Sequence, residues 1–167
     1  MNEGYEEILV KKKTTAKDML LKGLVIACTV VPVVGGILLV MPLAILIGVL
    51  VGFLGYWLLL PSLDLEYEYL YVEGEIDVDK IMARRKRKRA ASFSKDNLLV
   101  MAPTGSDQLS EYLKRGKVVD YTSGEAGVRS WTLVYGGEDG EKIVMLEIPD
   151  EIAQDMRRYA PRKVFFS

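Results

Sequence analysis

The chain has 167 residues, and its 22 Lys and Arg face 23 Asp and Glu for a net charge of −1, so any cationic surface that seeks a partner must be local. It has no histidine and one cysteine, Cys28. This removes the commonest general base and metal ligand, excludes an intrachain disulfide, and leaves no thiol set for zinc. The chain has no P-loop pattern, no dinucleotide-binding glycine pattern and no serine elbow. A histidine-dependent triad is excluded as well. The expectation is therefore a protein with no catalytic residues, no metal and no cofactor.

In chain order, "YEEILVKKK" comes first and is read as a strand, with an in-plane amphipathic helix as the alternative. From Gly23 to Leu60 there is no charged residue. A membrane span takes about 20 apolar residues, so this stretch is close to two minimal spans joined by a tight turn. It is too long for the apolar core of a signal peptide. A single tilted helix would leave more mismatch than tilt absorbs.

The first helix is predicted from about Thr15 to the Gly35–Leu39 region, and the second from about Pro42 to Leu60. The break falls within residues 32–42, where Gly35, Gly36, Met41 and Pro42 cluster. Thr15 with Asp18 reads as a capping box. Pro61 is expected to close the second helix, with Tyr56 and Trp57 as interfacial anchors. Cys28 reads as a small packing residue, in lipid or in a helix interface. Lysines 11, 12, 13, 17 and 22 precede the hairpin, a basic run follows it, and the turn is uncharged. The positive-inside rule then predicts both termini in the cytoplasm of a multi-pass plasma-membrane protein. Ala44, Gly48 and Gly52 recur every four residues, and Gly48-x-x-x-Gly52 is a close-approach motif for membrane helices. This face either meets the first helix near Gly23 and Ala27 or makes a homodimer. The first is preferred, because a hairpin already needs such a contact.

After Pro61 the period becomes two. In "LDLEYEYLYVEG" the residues Leu63, Leu65, Tyr67, Tyr69 and Tyr71 alternate with a face expected to be wet. Glu73-Gly74 marks a turn, and "EIDVDKIM" a second strand with Ile76 and Val78 inward. A third strand is expected to end at Phe93 and a fourth to cover "NLLVM". A short helix capped by Ser106 should end at Gly116. Strands follow at "KVVDYT", "SWTLVYG" and "EKIVMLEI", with a hairpin loop at Gly136–Gly140. "PDEIAQDMRRYA" closes the chain as a helix with Pro149 in its first turn, and with Ile152, Met156 and Tyr159 on one face.

About seven strands and a C-terminal helix resemble the pleckstrin-homology (PH)-like architecture. The order of strand, "EG" turn, strand, arginine-rich tip and "SFSKDNLLVM" is similar to bacterial PH-like domains that follow membrane helices. Through "KKTTAKDM", "IDVDKI", "RRKRKR", "VMAPTGS", "DYTSGE" and "APRKVF", the chain resembles a family of small Gram-positive bacterial membrane proteins described as a domain of unknown function. The resemblance implies an α+β membrane protein: an N-terminal transmembrane helical hairpin, then a PH-like β-barrel or sandwich. The segments are residues 1–14 on the cytoplasmic side, residues 15–61 as the hairpin, and residues 62–167 as the cytoplasmic PH-like domain.

"IMARRKRKRAASF" contains the basic run Arg84, Arg85, Lys86, Arg87, Lys88 and Arg89. Alternate strand residues point to opposite faces, so the start of this run must overhang the core as a hairpin tip. Arg84 to Lys88 are expected to be exposed, with Arg89 partly paired to acidic strand neighbours. The bland alternative is a solvated tip balanced by Asp77, Asp79, Glu66 and Glu68. The functional reading is contact with anionic headgroups of the inner leaflet. Nucleic acid ranks below lipid, because no aromatics interleave with the charges and the domain is not basic overall. Gly105 and Ser106 in "APTGS" read as an ordinary cap rather than an anion site. Two functions are compatible with these features. One is a non-enzymatic binding or scaffolding module that engages anionic lipid, a protein partner or a second copy. The other is an accessory subunit of a larger membrane complex that docks through the hairpin.

Overall fold

The computed structural model describes residues 5–83, 86–137 and 140–166. They form two units, one of residues 13–65 and 82–86, the other of the remainder.

The first unit is a helical hairpin. Helix α1 (Ala16–Leu38) begins at the predicted capping box. The Thr15 hydroxyl accepts from the Asp18 amide at 3.3 Å, and the Asp18 carboxylate accepts from the Thr15 amide at 2.8 Å. These bonds satisfy donors that a helix start leaves free. The turn comes within the predicted window. Val40 sits at φ 52° and the Met41 amide donates to the Gly36 carbonyl at 2.8 Å. Helix α2 (Pro42–Leu63) then starts with proline in its first turn.

Pro61 does not close α2 as expected. A π-helical turn at Gly55–Leu59 precedes it, and the helix continues to Leu63. Proline in a helix lacks an amide donor and presses on the carbonyl four residues back. A widened turn just before it makes room for the ring. Both α1 and α2 are long and apolar enough to cross a membrane. Leu24, Ile26, Leu46 and Leu50 are among the many large apolar side chains they leave exposed.

The glycine face of α2 packs on α1. A Cβ on Gly48 would lie 2.9 Å from the Thr29 carbonyl oxygen and 2.7 Å from Val33 Cγ2. Gly52 lies against Thr29, and Gly55 against Val25. The partners are thus Val25, Thr29 and Val33, not Gly23 and Ala27 as expected, and Gly23 has nothing within 4 Å of its Cβ position. Ala44 is partly buried on α2.

The second unit holds two four-stranded sheets. Strands β1 (Tyr5–Lys11), β2 (Leu65–Val72), β3 (Glu75–Met82) and β4 (Lys86–Ser94) form the first, in that order. The N-terminal segment is therefore a strand. It runs antiparallel to β2 from Tyr5 opposite Val72 to Lys11 opposite Glu66. Strands β5 (Leu98–Pro103), β6 (Val118–Asp120), β7 (Trp131–Gly137) and β8 (Gly140–Leu146) form the second, in the order β5-β7-β8-β6. The short β6 adds parallel to β8. The two sheets do not join into a closed barrel. Helix α3 (Ser110–Arg115) ends at Gly116, and α4 (Asp150–Tyr159) closes the fold.

The inner face of β2 carries Tyr67, Tyr69 and Tyr71, all buried. The Tyr69 hydroxyl donates to the Tyr121 carbonyl, and the Tyr71 hydroxyl to the Asp155 carboxylate of α4, both at 2.6 Å. Burial pushes the Tyr69 and Tyr71 phenols up, and for Tyr71 the Asp155 acceptor adds to it, so both stay neutral donors. "APRKVF" binds the free edge of β5. The Met101 amide donates to the Lys163 carbonyl, and the Phe165 amide to the Met101 carbonyl, each at 2.8 Å.

Three local expectations change. The outer face of β2 is not wet along its first half, where Glu66 and Glu68 are only 6% exposed, though Val72 at its end is exposed. Tyr159 stays partly exposed, its ring facing the Lys95 ammonium at 4.1 Å, and Ala153 joins Ile152 and Met156 inside. The Ser106 hydroxyl does not cap the following turn but donates to the Pro103 carbonyl at 2.7 Å.

Candidate functional site

The basic run is the densest charge feature of the chain, and the fold divides it by strand parity. Arg84 and Arg85 lie outside the described residues. From Lys86 onward the run is the first part of β4, so successive side chains point to opposite faces.

The odd positions face acids. Arg87 Nε donates to the Asp79 carboxylate at 2.6 Å, and its guanidinium also pairs with Glu68. Arg89 donates to Asp77 at 2.7 Å. The Glu68 and Asp79 side chains are only 7% and 11% exposed, against 51% for Arg87. A planar fork that reaches two nearly buried carboxylates holds a geometry a solvated pair does not. Arg87 is exposed as expected but is also a cross-strand tie, and Arg89 is paired with Asp77. The even positions differ. Lys86 and Lys88 are exposed and make no ion pair among the described residues.

One signal in the sequence foretold the division. Asp77-x-Asp79 precedes the turn and Arg87-x-Arg89 follows it, both with a period of two. A tight hairpin sets such pairs opposite each other.

The residue just before the run makes one backbone contact with the end of the hairpin. The Ala83 amide donates to the Asp64 carbonyl at 2.8 Å. Asp64 directly follows Leu63, the last residue of α2. The chain just before the basic run is thus tied to the end of the second apolar helix. Ala83 takes the turn at φ 48°. Ala83 is held at that helix end, and Lys86 follows three residues further along the chain. Among the described residues no three acids or cysteines gather as a metal ion requires.

No curated protein and no solved structure matches the chain. The two strand layers, the closing helix and the open edges agree with a PH-like arrangement, and one family model covers nearly all of it. That model is described as Bacterial PH-like domain (DUF6106) and matches residues 2–166, so the chain belongs to this family of bacterial PH-like domains.

Proposed function

We propose that the protein is a membrane-anchored, non-enzymatic binding or scaffolding module that holds a basic strand end against the anionic inner leaflet. A PH-like domain suits a binding or scaffolding role. The hairpin crosses the membrane twice, and both termini lie in the cytoplasm. The observation that carries this reading is the Ala83–Asp64 hydrogen bond, because it ties the start of the run to the end of an apolar helix.

Each Lys or Arg near an anionic leaflet contributes about 1 kcal/mol. Arg87 and Arg89 are spent on acids, so the lipid-facing set narrows to Arg84, Arg85, Lys86 and Lys88, together about 4 kcal/mol. That suffices to orient a domain already tethered, and it is weak enough for salt to reverse.

The test uses the full chain in nanodiscs of neutral or anionic lipid. Amide hydrogen exchange across residues 83–90 should slow in anionic discs and recover as salt rises. It should not slow when Arg84, Arg85, Lys86 and Lys88 are all replaced by Gln. Equal protection in neutral and anionic discs would reduce these four cations to solvated charge.

A further inference from the structure

We propose that the second half of β4, Ala90 to Ser94, is a docking edge for an acidic, extended peptide of a partner protein, which adds beside β4 as a further strand. Strand β4 ends its sheet and β6 ends the other. Between them lies a cleft of about 410 Å³, lined by Ala90–Ser94, Tyr135 and the lysines Lys117 and Lys142.

The two halves of β4 differ in a way that matters for an edge. Lys86 to Arg89 carry charge on every residue, which guards an edge against pairing. Ala90-Ala91-Ser92-Phe93-Ser94 carries none. The outer backbone groups of that half need hydrogen-bond partners. A lipid chain in the cleft would strip them of water and offer no hydrogen bond in return. An extended peptide meets them in kind.

Two further features define the occupant. The Phe93 and Tyr135 rings stack at 4.6 Å, and the Tyr135 hydroxyl is buried without a partner among the described residues. Burial pushes this phenol up, so it stays a donor in need of an acceptor such as a peptide carbonyl. Lys117 and Lys142 are exposed and unpaired among the described residues, and they share the cleft with one carboxylate, Glu141. That balance favours an acidic occupant. Neither lysine belongs to the leaflet-facing set, so this inference and the leaflet reading fail separately.

The experiment selects a phage-displayed library of random nonapeptides on the full chain in nanodiscs. Enriched peptides should be acidic, and Lys117→Glu with Lys142→Glu should lower their affinity at least tenfold. N-methylation of alternate peptide amides should abolish binding, because it removes the strand donors. Tyr135→Phe should weaken binding and leave the free protein no less stable. The proposal is overturned if no peptide is enriched over the double lysine variant. It is equally overturned if N-methylated peptides bind as well as their parents, or if the cleft takes up fatty acid in preference to any peptide.

Discussion

Replacing Gly48 with leucine is expected to separate the two apolar helices. The added Cβ would lie 2.9 Å from the Thr29 carbonyl oxygen and 3.1 Å from the Val33 amide nitrogen. Both are backbone atoms, so no rotamer change relieves the contact and the helices must move apart. Overpacking that side chains can absorb costs about 1–3 kcal/mol, and a backbone clash belongs at or beyond the top of that range. Close approach is also what holds membrane helices together, since lipid offers no hydrophobic drive between them. Crosslinking reads the loss directly. A Cβ on Gly55 would lie 3.6 Å from Val25 Cβ, within the range a disulfide spans. In a Cys28→Ala background, Val25→Cys with Gly55→Cys should oxidise readily and should fail to do so once Gly48→Leu is added. Gly35→Leu is the control, because nothing lies within 4 Å of the Gly35 Cβ position. Equal crosslinking with Gly48→Leu would mean that the helices do not depend on this face.

Replacing Arg87 with glutamine should cost the sheet unit about 2–3 kcal/mol, or roughly 10 °C in Tm. The change leaves the Glu68 and Asp79 carboxylates without their shared cation, at 7% and 11% exposure. Breaking a fully buried pair costs about 3–5 kcal/mol. The figure is lower here because Arg87 is half exposed and water screens its side of the pair. Arg87→Lys should recover only part of the stability, because an ammonium keeps the charge but not the fork that reaches two acids. Thermal unfolding in detergent at neutral pH, followed by near-ultraviolet circular dichroism, checks both. An Arg87→Gln protein as stable as its parent at neutral pH would show that the odd-numbered arginines are only surface charge.

The hairpin was legible because its signals are local. An uncharged stretch, a Thr15–Asp18 box and a Gly/Pro cluster each act within a few residues. Strands β2 and β3 were legible from their period of two. What escaped depends on residues far apart in the chain. The burial of Glu66 and Glu68 is set by pairing across strands, and alternation alone reports that these residues share a face, not what covers it. Pro61 misled because a π-turn at Gly55–Leu59 absorbs the ring, and nothing in a proline marks that compensation. The parallel pairing of β6 with β8 and the hold of Lys163 and Phe165 on Met101 are nonlocal as well. For the basic run, the sequence supplied its charge and the exposure of Lys86 and Lys88. Its sorting by parity was signalled by the spacing of Asp77 and Asp79 against Arg87 and Arg89, but which acid meets which arginine needed the folded strands.

The central claim is that a membrane-crossing hairpin keeps both ends of the chain and the basic strand on the cytoplasmic side. Cysteine accessibility in intact cells tests it most directly, with single cysteines introduced in a Cys28→Ala background at Thr14, Leu39 and Ser94. A membrane-impermeant maleimide should label Leu39→Cys from outside and should reach Thr14→Cys and Ser94→Cys only after the membrane is opened. Labelling of Thr14→Cys or Ser94→Cys from outside intact cells, or protection of Leu39→Cys until the membrane is opened, would contradict the claim.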